Sequence, residues 1–287
     1  MKPTMKTLRA NDTAQLGSSL ANLASRIERV LVVCIAVSSL VFLFLPVLIV
    51  IPMSFSSAQS LQFPPPGLSL RWYAEFFQDA AWGASLANSL IVAVASSGLA
   101  LVLGALAAYG LVRGNFFGRA ALDANFLAPL IIPSIIMAVA LYIAFAKVAL
   151  LGTYLGLIIA HTLNSAPYVV LVMSVAMSSL DARIEQVARS LGASELTVVR
   201  RVVLPNLMPS VLAAWIFAFI VSFDEVILSL FLFGNKYTVP KQMFTRLELK
   251  IDPTITVVAT MLIVVSAAAF GAAAWLTRRP GLFLPRL

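Results

Sequence analysis

Residues 185–209 read EQVARSLGASELTVVRRVVLPNLMP, five charged side chains and a central glycine set in a chain that is otherwise poor in charge. No charged residue lies between Val148 and Leu180 upstream, or between Val202 and Phe223 downstream. Each run holds the roughly 20 residues that a helix needs to cross hydrocarbon, so the quoted segment reads as a polar connection between two membrane helices. Working outward, the same pattern recurs from Val30 to Leu70, Ala80 to Val112, Ala124 to Ala146 and Pro253 to Thr277. Hydrophobic residues make up 61% of the 287 and charged ones 11%, against about 25% charged in an ordinary soluble domain. The expected fold class is therefore all-α, a polytopic membrane protein with six transmembrane helices near 30–52, 85–110, 125–147, 153–179, 208–233 and 254–277.

Placing both termini in the cytoplasm leaves Arg71, Lys147, Lys236, Lys241, Arg246 and Lys250 outside and every other lysine and arginine inside. That is the asymmetry expected of cytoplasmic loops, although the last outer loop runs against it. The domain order that follows is a cytoplasmic tail over 1–29, a first span over 30–52 and a periplasmic loop over 53–84. A core of five helices over 85–277 comes next, carrying the cytoplasmic segment 181–207, and a cytoplasmic tail over 278–287 ends the chain. An apolar core of about 22 residues marks the first span as retained, since a secretory h-region has roughly 7–15. The single cysteine, Cys34, lies inside that span and implies no disulfide framework. A formal charge of +8 fits basic residues beside anionic lipid rather than nucleic-acid binding.

Segment 181–207 reads as two short helices. Asp181 is an N-cap, and Ile184, Val187, Ala188 and Leu191 follow at i, i+3, i+4 and i+7 on one face. Gly192 ends the first helix, because glycine accepts the left-handed backbone found just past a helix end. Ser194 caps a second helix with Glu195 in its first turn, Leu196, Val199 and Val203 on one side, and Arg200 and Arg201 toward its end. Pro205 is expected to stop it, since the residue before proline is pushed out of the α region. The product is an amphipathic hairpin that either packs on its own spans and lipid or docks a partner.

Several chemistries are excluded. There is no G-x-x-x-x-G-K-[ST] phosphate loop, so nucleotide energy must come from another chain. One histidine cannot make an H-E-x-x-H zinc site, and no nucleophile set or metal site is suggested by spacing. The chain is expected to be a transport subunit, not an enzyme, with no cofactor of its own.

The order EQVARSLGA followed by VVLPNLMP resembles the EAA motif of binding-protein-dependent ABC importer permeases. Gln186, Val187 and Ala188 fall on the E-A-A positions, Gly192 on the glycine, and Leu204-Pro205 on the closing pair. Glutamine replaces the motif glutamate and valine its first alanine, while Glu185 stands next door as a possible carboxylate. FPPPGLSLRWYAEFF, NSLIVAV, LVRGNFFGR, APLIIPSIIM and SFDEVILSLFLFG, spread over roughly residues 60–265, are similar to the spermidine/putrescine type. The resemblance implies a type I importer in the inner membrane with two permease subunits, two cytoplasmic ATPase subunits holding ATP and magnesium, and an external solute-binding protein. The second permease could be a different chain or a copy of this one. Residues 181–207 would be the coupling segment, its ATPase-facing set Glu185, Gln186, Val187, Ala188, Leu191, Gly192, Ala193, Leu204 and Pro205. The solute would be a polyamine or a related cationic nitrogen compound.

Two stretches are candidates for the solute path. His161, Asn164, Ser165 and Tyr168 share one face of the fourth span, which should meet another helix or a water-filled route; interhelical hydrogen bonding alone would also account for it. Pro167 sits in the same stretch as an expected kink. On the fifth span Ala214, Ala218, Ser222, Glu225 and Ser229 form a face of small and polar groups; Glu225, with Ser222 and Ser229 on its face and Asp224 beside it, is expected to form a transient site for a cation, with Phe219 and Tyr168 as aromatic partners. The competing reading pairs Asp224 and Glu225 with Lys147, Lys236 or the partner permease. Pro129 and Pro133 break hydrogen bonding in the third span. An ion-coupled carrier or channel working without an ATPase is the alternative function.

Overall fold

The computed structural model describes the backbone of residues 5–249 and 253–277, and side chains over 26–249 and 253–268. Apart from one isolated antiparallel bridge, Ser56 with Leu68, its regular structure is entirely helical. This follows from composition, because a helix satisfies every backbone polar group within its own segment.

The described residues divide into two compact units. One contains α1 (Met5–Ser54) and α12 (Thr254–Thr277), which pack on each other. Helix α1 starts well before the expected span at 30, so the tail is helical from Met5 onward. The connection after it, which carries α2 (Arg71–Gln78), is fastened locally: Trp72 Nε1 donates to Ala58 O at 3.1 Å, and Ser54 and Tyr73 hydroxyls lie 2.8 Å apart.

The second unit, Phe77–Ile251, carries the core. Its centre is α3 (Ala80–Arg113), α6 (Tyr154–Ser179) and α9 (Leu204–Phe223), packed pairwise. Small residues make the close approach possible. A Cβ on Gly104 would stand 2.8 Å from two side-chain atoms of Val169, and Ala100, Ala108, Ala214 and Ala218 are buried in the same cluster. Such small faces let helix backbones draw together where lipid offers no hydrophobic drive.

All six expected apolar segments are largely helical, but three depart from simple spans: the third, the fifth, and the sixth, which is a shorter apolar helix, Thr254–Ala268, over the stretch whose side chains are described. Four helices are long and apolar enough to cross a membrane: Arg26–Ser54, Ala80–Arg113, Tyr154–Ser179 and Glu195–Phe223. The third expected span is a bent pair, Arg119–Leu130 and Ser134–Lys147, turned by 102°. It comprises α4 (Arg119–Leu127), a 3₁₀ turn at Ala128–Leu130 and α5 (Ser134–Lys147). Pro129 and Pro133 flank that corner, each lacking the N–H a continuous helix would use. The fifth expected span, 208–233, ends at Phe223, and α10 (Ile227–Leu232) follows after a break. Helix α6, by contrast, runs unbroken through Pro167.

The entry to α3 supplies one test. Asp79 is its N-cap, accepting from Ala81 N at 2.8 Å, and its other oxygen pairs with Arg246 of α11 (Val239–Leu249). Burial pushes the Asp79 carboxyl up, but the Arg246 hydrogen bond, the Ala81 N–H and the guanidinium charge together hold it below its ordinary value. A depressed acid contributes stability that is full above its unfolded pKa, about 3.9, and is lost as pH falls through the folded value. The Asp79→Ala chain should lose about 1 kcal/mol at neutral pH, and the difference from the parent should shrink in melting scans run progressively below about pH 4.

Candidate functional site

Helix α7 (Ala182–Ser190) and α8 (Glu195–Val198) form the hairpin between α6 and α9. Its caps are local chemistry. Asp181 accepts from Arg183 N at 2.9 Å, Gly192 takes φ +87°, and Ser194 accepts from Thr197 N. Arg189 clasps the far helix by donating to both Glu195 oxygens, at 2.7 and 3.0 Å. Ile184, Val187 and Leu191 are exposed at 45%, 59% and 83%, so the apolar face has no cover among the described residues. Gln186, Leu204 and Pro205 are also exposed, while Ala188 and Ala193 lie half-buried against the core.

Glu185 departs from the expectation that it presents a carboxylate to a partner. It is 1% exposed and turned inward, where it accepts from Arg113 Nε at 2.8 Å, Tyr109 Oη at 3.3 Å and Arg189 Nη2 at 3.4 Å. A carboxylate so surrounded by donors inside the protein is not free to meet another chain.

Pro205 also does otherwise than expected. The chain does not stop there but passes from α8 through a π-helical turn at Val199–Val203 into α9. Leu204 N donates five residues back to Val199 O. Widening the turn removes the demand for an α-type bond from Pro205, which has no N–H, and relieves its ring from the carbonyl four residues back.

The second cluster lies where α3, α6 and α9 meet. His161, 1% exposed, has Nδ1 at 2.9 Å from Ser222 Oγ and Nε2 at 3.4 Å from Ser229 Oγ. Ser222 in turn meets Ser96 of α3 at 2.7 Å. Ser165 donates to its own helix at His161 O, 2.7 Å away. His161, Ser96, Ser222 and Ser229 thus satisfy one another between helices, and Ser165 within its own, as buried polar groups must.

The acids stand at the break between α9 and α10, not on a continuous helical face. Glu225 Oε2 accepts from Asn164 Nδ2 at 3.0 Å, and Oε1 accepts from Leu228 N at 3.1 Å, capping α10. Besides its contact with His161, Ser229 donates to the Glu225 backbone carbonyl, not to its carboxylate. Asp224 is exposed, and its side chain has no hydrogen-bond or ion-pair partner among the described residues. The proposed lysine pairing within the chain is absent there too: Lys236 Nζ donates to Gly152 O at 2.6 Å, and the described salt bridges include neither Asp224 nor Glu225. Phe219 stands between Trp215 and Phe223, with ring centroids 6.2 and 5.7 Å away. Tyr168 packs edge-on against Phe217 at 5.1 Å.

Ser96 and Arg113 were missed in the sequence although both complete these clusters. Ser96 gave a weak signal, a small polar residue in an apolar run, whereas Arg113 looked like an ordinary flanking charge.

Residues 100–281 match the family described as "Binding-protein-dependent transport system inner membrane component". The spermidine/putrescine transport system permease protein PotC of Haemophilus influenzae is 30% identical over 240 residues, covering 83% of this chain and 93% of that protein. The putrescine transport system permease protein PotI of Escherichia coli is 32% identical over 230 residues, covering 77% and 82%. In fold, the chain is similar to part of a bacterial ABC transporter involved in the import of the acidic polysaccharide alginate. That likeness has a TM-score of 0.70 at 16% identity, over 90% of this chain and 98% of the other. An uncovered apolar hairpin between two long helices, a helix break carrying two acids and these matches agree: the chain belongs to the binding-protein-dependent inner membrane components, the permease subunits of ABC importers.

Proposed function

We propose that this permease admits a small polyamine or a related cationic nitrogen compound, handed over by a solute-binding protein on the outer side. ATP hydrolysis takes place on two separate ATPase subunits, with magnesium, and a second permease subunit completes the path. Both termini and the α7–α8 hairpin face the cytoplasm, and Ile184, Val187 and Leu191 dock into the ATPase. Gln186 stands at the edge of that contact, Gly192 and Ala193 shape its bend, and Leu204-Pro205 begins the return into the membrane.

The observation that carries the cationic class is the Asp224-Glu225 pair in the α9–α10 break, where Asp224 has no cationic partner among the described residues. An acid within a membrane protein is costly to hold unless something polar or cationic answers it. Asp224 meets the solute, Glu225 and Asn164 fix the break, and Phe219 with Tyr168 adds aromatic surface worth about 0.5–2 kcal/mol to a cation. His161, Ser222 and Ser229 hold the helices around that point in register, and Ser165 lies on α6 beside them. The names of the PotC and PotI relatives support the same solute class.

The direct experiment is reconstitution of the complete importer in proteoliposomes, with labelled putrescine supplied through the binding protein. Uptake should require internal ATP and should compete with spermidine but not with an anionic solute of similar length. Uptake driven by an ion gradient without the ATPase subunits would instead establish the carrier reading.

A further inference from the structure

Glu185 is the most deeply buried charged side chain of the hairpin, and its strongest partner belongs to a helix 72 residues earlier. Arg113, at the end of α3, makes two contacts at once: Nε to Glu185 Oε1 at 2.8 Å, and Nη2 to Leu180 O at 2.9 Å, where α6 ends. Tyr109, one turn before Arg113, adds its hydroxyl to Glu185 Oε2, and Arg189 reaches the same oxygen while holding Glu195 of α8. One carboxylate thus joins α3, α7 and, through Arg189, α8.

We infer that Glu185 and Arg113 form a buried joint that fixes the α7–α8 hairpin to α3, making Glu185 a positioning residue for transport. The inference rests on the docking role proposed for the hairpin. A displacement of the apolar face by the ATPase then moves α3 with it instead of sliding past. From Arg113 to Ser96 is about 25 Å along the helix, and Ser96 meets Ser222, one residue before the end of α9. The joint therefore links the docking face to the helix break along α3, reaching α9 only at Ser222 beside the break. A buried charge suits this task because its partners are fixed by donor geometry, and losing one partner is expensive.

The test uses the assembled importer with Glu185→Gln, Arg113→Gln and the double variant. Assembly, basal ATPase rate, ATPase stimulation by loaded binding protein, and the KM and Vmax of putrescine uptake are read for each. Either single variant should assemble and keep basal hydrolysis within about twofold, lose tenfold or more of its stimulation and Vmax, and leave KM unchanged. The double variant should be no worse than the singles, since groups acting as one unit are non-additive. Normal stimulation in either assembled single variant overturns the inference, and so does failure of both singles to assemble, which would make the pair a support of the fold alone. The Val187→Glu/Leu191→Glu complex measured alongside separates the two readings. If it is stimulated normally, the docking role itself fails; if it is uncoupled while Glu185→Gln is normal, only the joint fails.

Discussion

The Val187→Glu/Leu191→Glu importer will hydrolyse ATP at its basal rate and no longer respond to loaded binding protein. Both side chains are exposed in the isolated chain, at 59% and 83%, so two glutamates cost its own fold little. In a docked complex each leucine or valine contributes roughly 1.5–3 kcal/mol when fully buried, and a charge put in its place is buried unpaired. Together these exceed the 1.4 kcal/mol that makes a tenfold change, so stimulation should fall by at least two orders of magnitude, about 3 kcal/mol. Gly192→Pro should do the same by another route: φ +87° is closed to proline, and the Gly192 N–H given to Arg189 O is lost. Stimulated and basal ATPase rates in proteoliposomes, with the melting temperature of the lone permease as control, measure this. Normal stimulation in both variants removes the hairpin from the ATPase interface.

The Asp224→Asn importer should take up putrescine with a KM raised about tenfold or more and with assembly intact. At a separation of about 4 Å and an effective dielectric of about 20 a pair of charges gains about 4 kcal/mol. Water around an exposed Asp224 lowers that to 1–2 kcal/mol, roughly a tenfold effect. Glu225→Gln should behave differently, because its carboxylate is already committed to Leu228 N and Asn164 Nδ2. A glutamine oxygen can still cap α10, and Asn164 can present its own oxygen to the new amide, so the expected change is a modest fall in Vmax with KM within about threefold. Initial-rate uptake over a concentration series distinguishes the two. An unchanged KM in Asp224→Asn takes that acid out of the solute path, and a larger KM change in Glu225→Gln exchanges the roles of the two residues.

The hairpin could be read before any coordinates because its signals are local. Asp181, Gly192 and Ser194 each do at their own position what their chemistry favours. The apolar runs were equally legible as helices, since lipid leaves the backbone little choice. What escaped the sequence depends on distant partners. The period of Ser222, Glu225 and Ser229 fits a continuous helix as well as a broken one. The break is held by Asn164, 61 residues away, and by Glu225 capping the next helix. The inward turn of Glu185 needs Arg113, which nothing near residue 185 announces. Pro129, Pro133 and Pro205 did mark where hydrogen bonding fails. A missing N–H leaves open whether the chain ends, folds through 102°, or widens by one residue and continues.

That last outcome sets the phase of everything beyond it. A π turn inserts one extra residue, so every later side chain on α9 is rotated by about 100° relative to an unbroken α-helix. The azimuth at which Ala214, Ala218 and Ser222 look toward α3 and α6 is dialled at Val199–Val203, far from those contacts. Since α8, the π turn and α9 form one rod from Glu195 to Phe223, winding that turn back to α geometry would act as a crank. A twist at the hairpin end would carry the whole aromatic and serine-bearing surface around with it, and swing Asp224 to a new bearing without bending the rod at all.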